Sequence, residues 1–278
     1  MKRLYSIKNI EKTYDTGEEP VLVACNDHNS YICKYTRYSG SANKLVCELI
    51  GALFAQNWML NTPEVAMVKV CQEHVPYNMS GSYFSKTILG SLQQLNVIDI
   101  TPTTIPLITP SERLCLQLMK IALFDLWLSN EDRNSNNANL MYDMVKDNIV
   151  AIDFGCCFNT ATFDYPLSLL TESESILCSD LFLHLSKGLS QERIMAMADV
   201  LLRIDFPSCL HDCQTGKAVV QWDEEANEEL GCPFIPKVWD IDRIRLLSKI
   251  EELMSDKWVE RVRNAFIETL NTALQYDE

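Results

Sequence analysis

Ten residues near the middle of the chain, Asn130-Glu131-Asp132-Arg133-Asn134-Ser135-Asn136-Asn137-Ala138-Asn139, are followed after a short hydrophobic hairpin by Ile152-Asp153-Phe154-Gly155. Asx side chains bond their own backbone, so the first stretch reads as a turn-rich loop that carries Asp132 and Asn137. The run Ile149-Val150-Ala151-Ile152 before Asp153 reads as a strand closing in a tight glycine turn. Any fold for this chain must set that loop beside the end of that strand. The preceding stretch predicts a helix over 111–128, opened by Ser111 and Glu112, and its second half is apolar on nearly every side. Such a helix belongs in a core, so the loop is tethered to a rigid, buried element.

Taken singly, an Asx-rich turn and an Asp-Phe-Gly are commonplace. Their order and short separation are not. Phosphoryl transfer from ATP needs a carboxylate for the nucleophile's proton, and a carboxylate with an amide oxygen to hold Mg²⁺ against the phosphates. Asp132, Asn137 and Asp153 supply all three from one loop and the next strand.

The N-terminal third predicts a strand within 4–14, a turn at Asp15-Thr16-Gly17-Glu18-Glu19-Pro20, and a hairpin of Val21-Leu22-Val23-Ala24-Cys25 with Tyr31-Ile32-Cys33-Lys34-Tyr35. Lys34 lies in an apolar strand, where an ammonium either points outward to solvent or meets a partner. Residues 44–58 predict a helix with Leu45, Leu49, Ala52, Leu53 and Gln56 at helical spacing and Glu48 beside that stripe. Glu48 is thereby a candidate ion-pair partner that positions Lys34 on nucleotide phosphates, an exposed Glu48 being the alternative. Further strands are expected over 64–70 and 83–89, with a first lobe ending near Gly90 and adenine contacts within 85–90. There is no G-x-G-x-x-G, so a phosphate-covering loop is built differently from that of protein kinases.

Beyond the central motifs, residues 101–110 read as an ordered loop or linker, 180–202 as two helices joined at Gly188-Leu189-Ser190, and 241–274 as helices broken at Ser255-Asp256. In the last stretch Leu247, Ile250, Met254, Trp258, Val262 and Phe266 are the expected core positions. Thr160, Thr162, Ser168, Thr171, Ser173 and Ser175 dot a segment with the position of a regulatory loop.

Composition removes several classes. With 278 residues, 47% of them hydrophobic, the chain can bury one large core or two packed lobes. No apolar run approaches the roughly 18 residues of a spanning helix, and the first residues lack a secretion signal, so a cytoplasmic protein is expected. Eleven scattered cysteines read as buried thiols. Cys209, His211, Cys213 and Cys232 lack the paired spacing of a zinc site. A net charge of −14 argues against direct nucleic-acid binding and against anionic membranes, and draws basic partners. The acidic residues at 223–229 read as a solvated face.

Together, Gly17, Tyr31-Ile32-Cys33-Lys34-Tyr35, Glu48, Thr62-Pro63-Glu64, Asn130-Glu131-Asp132-Arg133, Asn137 and Asp153 resemble the HipA-like kinases, especially the compact single-chain kind. Asp132-Arg133 and Ile152-Asp153-Phe154-Gly155 also resemble, more distantly, phosphatidylinositol 3/4-kinases. One departure is Asn134, which stands where related loops often carry His. The resemblance implies an α+β, two-lobed protein-kinase-like fold, with an antiparallel β-sheet N-lobe carrying one helix (1–90) and a mainly helical C-lobe (91–278). It implies Asp132 as catalytic base, Asn137 and Asp153 as Mg²⁺ ligands, and Lys34 as the phosphate-binding cation held by Glu48. The activity it implies is ATP- and Mg²⁺-dependent transfer to a protein serine or threonine. A small-molecule or lipid-headgroup kinase and a catalytically silent nucleotide-binding module are the alternatives. Larger relatives work with a DNA-binding antitoxin, so an operon-encoded partner stays open.

Overall fold

Lys34 ends a strand whose burial alternates with period two, which is why its side chain and that of Cys33 leave on opposite faces. In the computed structural model, which describes residues 1–37, 42–210, 221–222, 234–236 and 239–275, this strand is β4 (Ser30–Lys34) of a six-stranded sheet. The sheet comprises β1 (Lys2–Tyr5), β2 (Lys12–Thr13), β3 (Val21–Ala24), β4, β5 (Val65–Lys69) and β6 (Ile88–Leu92), in the order β1-β5-β6-β4-β3-β2. It is antiparallel except where β1 runs parallel to β5, a departure from the all-antiparallel lobe expected. Register pairs Lys34 with Leu89 and Leu89 with Met67, placing all three on one face.

That face meets α1 (Asn43–Asn57). The helix buries Leu45, Val46, Cys47, Glu48, Leu49, Ile50, Gly51, Ala52, Phe54 and Ala55, so it is enclosed nearly all round rather than along the single stripe expected. The reason is its position: α1 lies between the sheet, through Met67 and Leu89, and the helical core behind it. The opposite face of the sheet has its own smaller core, in which Tyr35 packs on Phe84 with ring centroids 4.8 Å apart.

The helical part is built on α2 (Glu112–Leu128), capped as anticipated by Ser111 Oγ accepting from the Leu114 amide at 3.3 Å. Trp127 and Trp258 fasten it to the C-terminal helices: the Trp127 indole donates to the Leu253 carbonyl and the Trp258 indole to the Trp127 carbonyl. Beside α2 lies a three-stranded sheet of β7 (Val97–Asp99), β8 (Leu140–Asp143) and β9 (Asn148–Ala151), the last two forming the anticipated hairpin. A left-handed turn, α3 (Cys157–Ala161), then leads to α4 (Asp180–Ser186), α5 (Gln191–Leu201), α6 (Arg243–Met254) and α7 (Asp256–Gln275). The expected breaks at Gly188 and Ser255 are present.

Several expectations are corrected. Residues 4–14 form two short strands, because Ser6 turns the chain to bond Lys69 and His74. The strand expected over 83–89 begins only at Ile88, since Phe84 is drawn off in a short 3-10 turn (Gly81–Phe84) to fill the core under Tyr35. Strand β6 also carries through Gly90 to Leu92, and β7 has no counterpart in the sequence reading. Leu247 and Met254 are exposed, and Leu246 and Leu253 face the core instead. Ser175 is buried and bonds the Leu177 amide, so it is no surface phosphosite.

The described cysteines are free; Cys25, Cys33, Cys47, Cys115 and Cys157 are buried as expected, whereas Cys71, Cys156 and Cys178 are partly exposed. His211, Cys213, Cys232, the Cys209 side chain and the acidic residues at 223–229 lie outside the described residues. No helix among the described residues is long and apolar enough to cross a membrane.

Candidate active site

Glu48 reaches the inner face of the sheet one helical turn after α1 begins. Its Oε2 accepts from Lys34 Nζ at 3.0 Å and from the Phe154 amide at 2.8 Å. One carboxylate oxygen thus joins the strand lysine to the Asp-Phe-Gly backbone. Asp153 closes the group, its Oδ1 lying 2.7 Å from Lys34 Nζ and accepting from the Gly155 amide at 3.3 Å. Asp153 has a φ of 59°, which turns the strand abruptly and projects its carboxylate toward the lysine. Phe154 can lie against α1 because residue 51 is glycine: a Cβ there would be 2.3 Å from Phe154 Cβ.

Burial alone would push the Lys34 ammonium down, but Glu48, Asp153 and Glu18 around it hold it above its ordinary range, fully charged. Burial pushes the Glu48 carboxyl up to about 7, with Lys34 acting against the rise. For Asp153, burial also opposes the charge, yet Lys34 and the Gly155 amide outweigh it and the carboxyl sits below its usual range. Two carboxylates therefore share one cation, with the charge held more firmly on Asp153.

The loop that follows α2 is anchored from beneath. Ser129 ends the helix in the left-handed region, and Asn130 and Arg133 turn back onto Asp125 of that helix, at 2.8 Å each. Arg133 is fully buried and also donates to the carbonyls of Ile152, at 2.9 Å, and Asn139. Its guanidinium lies over the Phe154 ring, 5.1 Å from the centroid. One side chain thereby ties the Asp132 loop to the strand end that bears Asp153. Burial pushes the Asp125 carboxyl up to about 6, with Arg133 opposing it.

Asp132 faces out from this support. Its carboxylate accepts from Asn139 Nδ2 at 3.0 Å, and Asn139 also bonds the Asp132 carbonyl and, through its own carbonyl, the Ile152 amide. Asn139 is the residue the sequence reading missed. A signal was available in its place directly before strand β8, where an amide could reach both halves of the site. Asn134 braces the tip: its Oδ1 accepts from the amides of Asn136, at 3.0 Å, and Asn137, at 3.2 Å. The Asn137 side chain is exposed on that tip, and the contacts of Lys34, Glu48 and Asp153 do not include it. Direct contact therefore unites Lys34, Glu48 and Asp153, whereas Asp132 is joined to them through Asn139 and Arg133.

One further residue reaches the lysine and links it to a second cation. Glu18, in the turn before β3, lies 3.7 Å from Lys34 Nζ and 3.0 Å from Lys44 Nζ. Lys44 stands in the first turn of α1. Among the described residues no group of three or more His, Cys, Asp and Glu makes a self-sufficient metal cage. A carboxylate such as that of Asp153 is a ligand type that Mg²⁺ accepts, a hard cation that takes one or two protein oxygens and leaves the rest to water and phosphate.

The family model described as HipA-like kinase matches residues 7–170. The chain belongs to the HipA-like kinase family. This kinase is similar in structure to the Helicobacter pylori proinflammatory kinase CtkA, with a TM-score of 0.54 and 14% identity over 95% of this chain and 97% of that one. At that identity the likeness establishes the fold, a β-sheet N-terminal part followed by a helical C-terminal part. The HipA chain of the Shewanella oneidensis MR-1 toxin–antitoxin complex with HipB and operator DNA aligns with a TM-score of 0.43 and 12% identity, over 98% of this chain and 68% of that one. No curated protein matches the sequence.

Proposed function

We propose that this kinase transfers the γ-phosphoryl group of ATP, with Mg²⁺, to a serine or threonine of a protein. The observation that carries the reading is the Lys34 ammonium held 3.0 Å from Glu48 and 2.7 Å from Asp153. A buried, fully charged lysine fixed by a helix glutamate is what a triphosphate needs on its oxygens, because a preset cation costs no reorganisation when charge moves in the transition state.

Asp153 and the amide oxygen of Asn137 are the proposed Mg²⁺ ligands. When bound, the ion neutralises phosphate charge and orients the γ-phosphoryl group. Asp132 takes the proton of the acceptor hydroxyl, and Asn139 holds its carboxylate in one rotamer. Arg133 and Asp125 do not touch substrate; they keep the loop and the strand end in register.

Incubating the purified chain with γ-labelled ATP and a protein lysate, then locating label on serine or threonine, tests the reading. Hydrolysis or transfer only to small molecules would replace the protein acceptor. Absence of any phosphoryl transfer, with nucleotide still bound, would leave a silent nucleotide-binding module.

A further inference from the structure

The segment after Gly155 does not hang free over the site. Ser129 Oγ donates to the Ser168 carbonyl at 2.7 Å, Glu252 accepts from the Leu167 amide at 2.9 Å, and Lys249 bonds the Tyr165 carbonyl. Thr171 and Glu174 then close a capping box, Glu174 Oε2 accepting from both the amide and the hydroxyl of Thr171 at 2.7 Å. So braced, this segment forms one wall of an open groove of about 950 Å³ whose other wall is α7.

The groove has an apolar floor that includes Leu169, Leu170 and Leu183, and three acids along it, Glu172, Asp180 and Glu268. All three acids are exposed, and no Lys or Arg is among the residues that line it. The groove adjoins the Asp132 loop. Ser179 and Asp180, at the start of α4, line it and also line a smaller cavity of about 230 Å³ whose other walls include residues 134–139 of that loop. Glu174, which braces this wall from outside the groove, lies close enough to the Asp132 loop that, after burial, its charge and that of Asp132 raise the Glu131 carboxyl.

We propose that this groove seats the segment of the substrate protein next to the phosphoacceptor, and that it selects an extended peptide with an aliphatic residue flanked by arginine or lysine. This rests on the kinase reading above and names the substrate class for the same site. The leucine floor takes the aliphatic side chain. The unopposed acids attract the flanking cations, whose long stems also cover apolar surface. An acidic or uncharged peptide gains neither the charge pairing nor the accelerated encounter.

Binding is measured without ATP, by fluorescence anisotropy of two labelled peptides with a central serine, one carrying leucine and arginine around it and one carrying leucine and glutamate. The 278-residue chain should bind the arginine peptide, more weakly as salt is raised, and bind the glutamate peptide far less. The double variant Glu172→Lys with Glu268→Lys, both surface positions, should unfold at the wild-type temperature yet weaken the arginine peptide by about tenfold or more. In transfer assays the KM for that peptide should rise in the same proportion, with the KM for ATP unchanged. Equal affinity for the two peptides, preferential binding of phosphatidylinositol vesicles, or no effect of charge reversal would overturn the proposal. Peptide binding without phosphoryl transfer to any acceptor would sink the kinase reading and leave the groove assignment standing. Transfer to other acceptors with neither peptide bound would do the reverse.

Discussion

Gly51 of α1 faces Phe154 so closely that a methyl group on its Cα would lie 2.3 Å from Phe154 Cβ. The contact is between backbone-proximal atoms, so no rotamer change relieves it. Gly51→Ala gains about 1 kcal/mol of helix propensity and still comes out destabilised, by roughly 1–3 kcal/mol of overpacking. Because the Phe154 amide also donates to Glu48, the same variant should lose most phosphoryl transfer. Urea unfolding and a transfer assay check both, and a more stable, fully active Gly51→Ala protein would refute the role given to this contact.

Removing Lys34 strands the buried carboxylate of Glu48 and the partly exposed one of Asp153. Lys34→Met should lower the transfer rate at least about a hundredfold and destabilise the fold by about 3–5 kcal/mol, the usual cost of breaking a buried ion pair from one side. Adding Glu48→Gln to Lys34→Met should recover part of the stability and none of the activity. A double-mutant cycle by chemical denaturation, read beside kcat, separates the two effects.

Asp132→Ala should reduce kcat by about 10²–10⁴-fold while nucleotide affinity stays near wild type. Asp153→Ala should instead weaken nucleotide binding in the presence of Mg²⁺ and leave metal-free binding little changed. Calorimetric titration of nucleotide with and without Mg²⁺ distinguishes them, and unchanged turnover in the Asp132 variant would remove its assignment as base.

The Glu48 carboxyl is raised by burial from 4.5 to about 7, with Lys34 opposing the rise. The folded state therefore binds this proton more tightly than the unfolded state, and the contribution of Glu48 to stability falls as pH climbs from the ordinary carboxylate value to about 7. Activity should move the other way, since ionised Glu48 grips Lys34 and protonated Glu48 does not. A pH profile of kcat/KM rising through about 7, and absent from Glu48→Gln, is the expected result. A profile flat across that range would show that the glutamate does not titrate there.

Arg133→Met leaves Asp125 buried beneath the loop with only Asn130 beside it, a loss of about 3–5 kcal/mol. Arg133→Met with Asp125→Leu removes both charges and should regain most of that stability. Activity should stay low in the pair, because the carbonyls of Asn139 and Ile152 lose their common donor. Recovery of full activity would show that the loop and strand end keep register without it.

Much of this site can be read along the chain because its parts are short-range. Helix α2 runs over Glu112–Leu128 as its cap and apolar faces predict, and the hairpin of β8 and β9 falls between the two motifs. Lys34 and Glu48 could be paired from periodicity, since alternation fixes the face of a strand residue and helical spacing fixes the side of a helix residue. The place of Asn139 before β8 hinted at a role, but its partner, like those of Asp125 and Gly51, could not be read. Each takes its meaning from a partner brought near by folding: the carboxylate of Asp132, the guanidinium of Arg133, the ring of Phe154. Phe84 left its expected strand for the same reason, a vacancy under Tyr35 that local propensity does not record.

The sequence by itself determined which groups this protein has for its chemistry and the order in which they come, because turn, cap and alternation rules act over a few residues. Tertiary structure alone decided that Glu48 bonds both Lys34 and the Phe154 amide, and that residues 169–180 and α7 flank an acidic groove sharing Ser179 and Asp180 with the cavity beside the Asp132 loop. Those relations depend on the distance between segments far apart in the chain. That distance is set by burying α1 and α2 in one apolar core, a global balance that no local stretch of residues encodes.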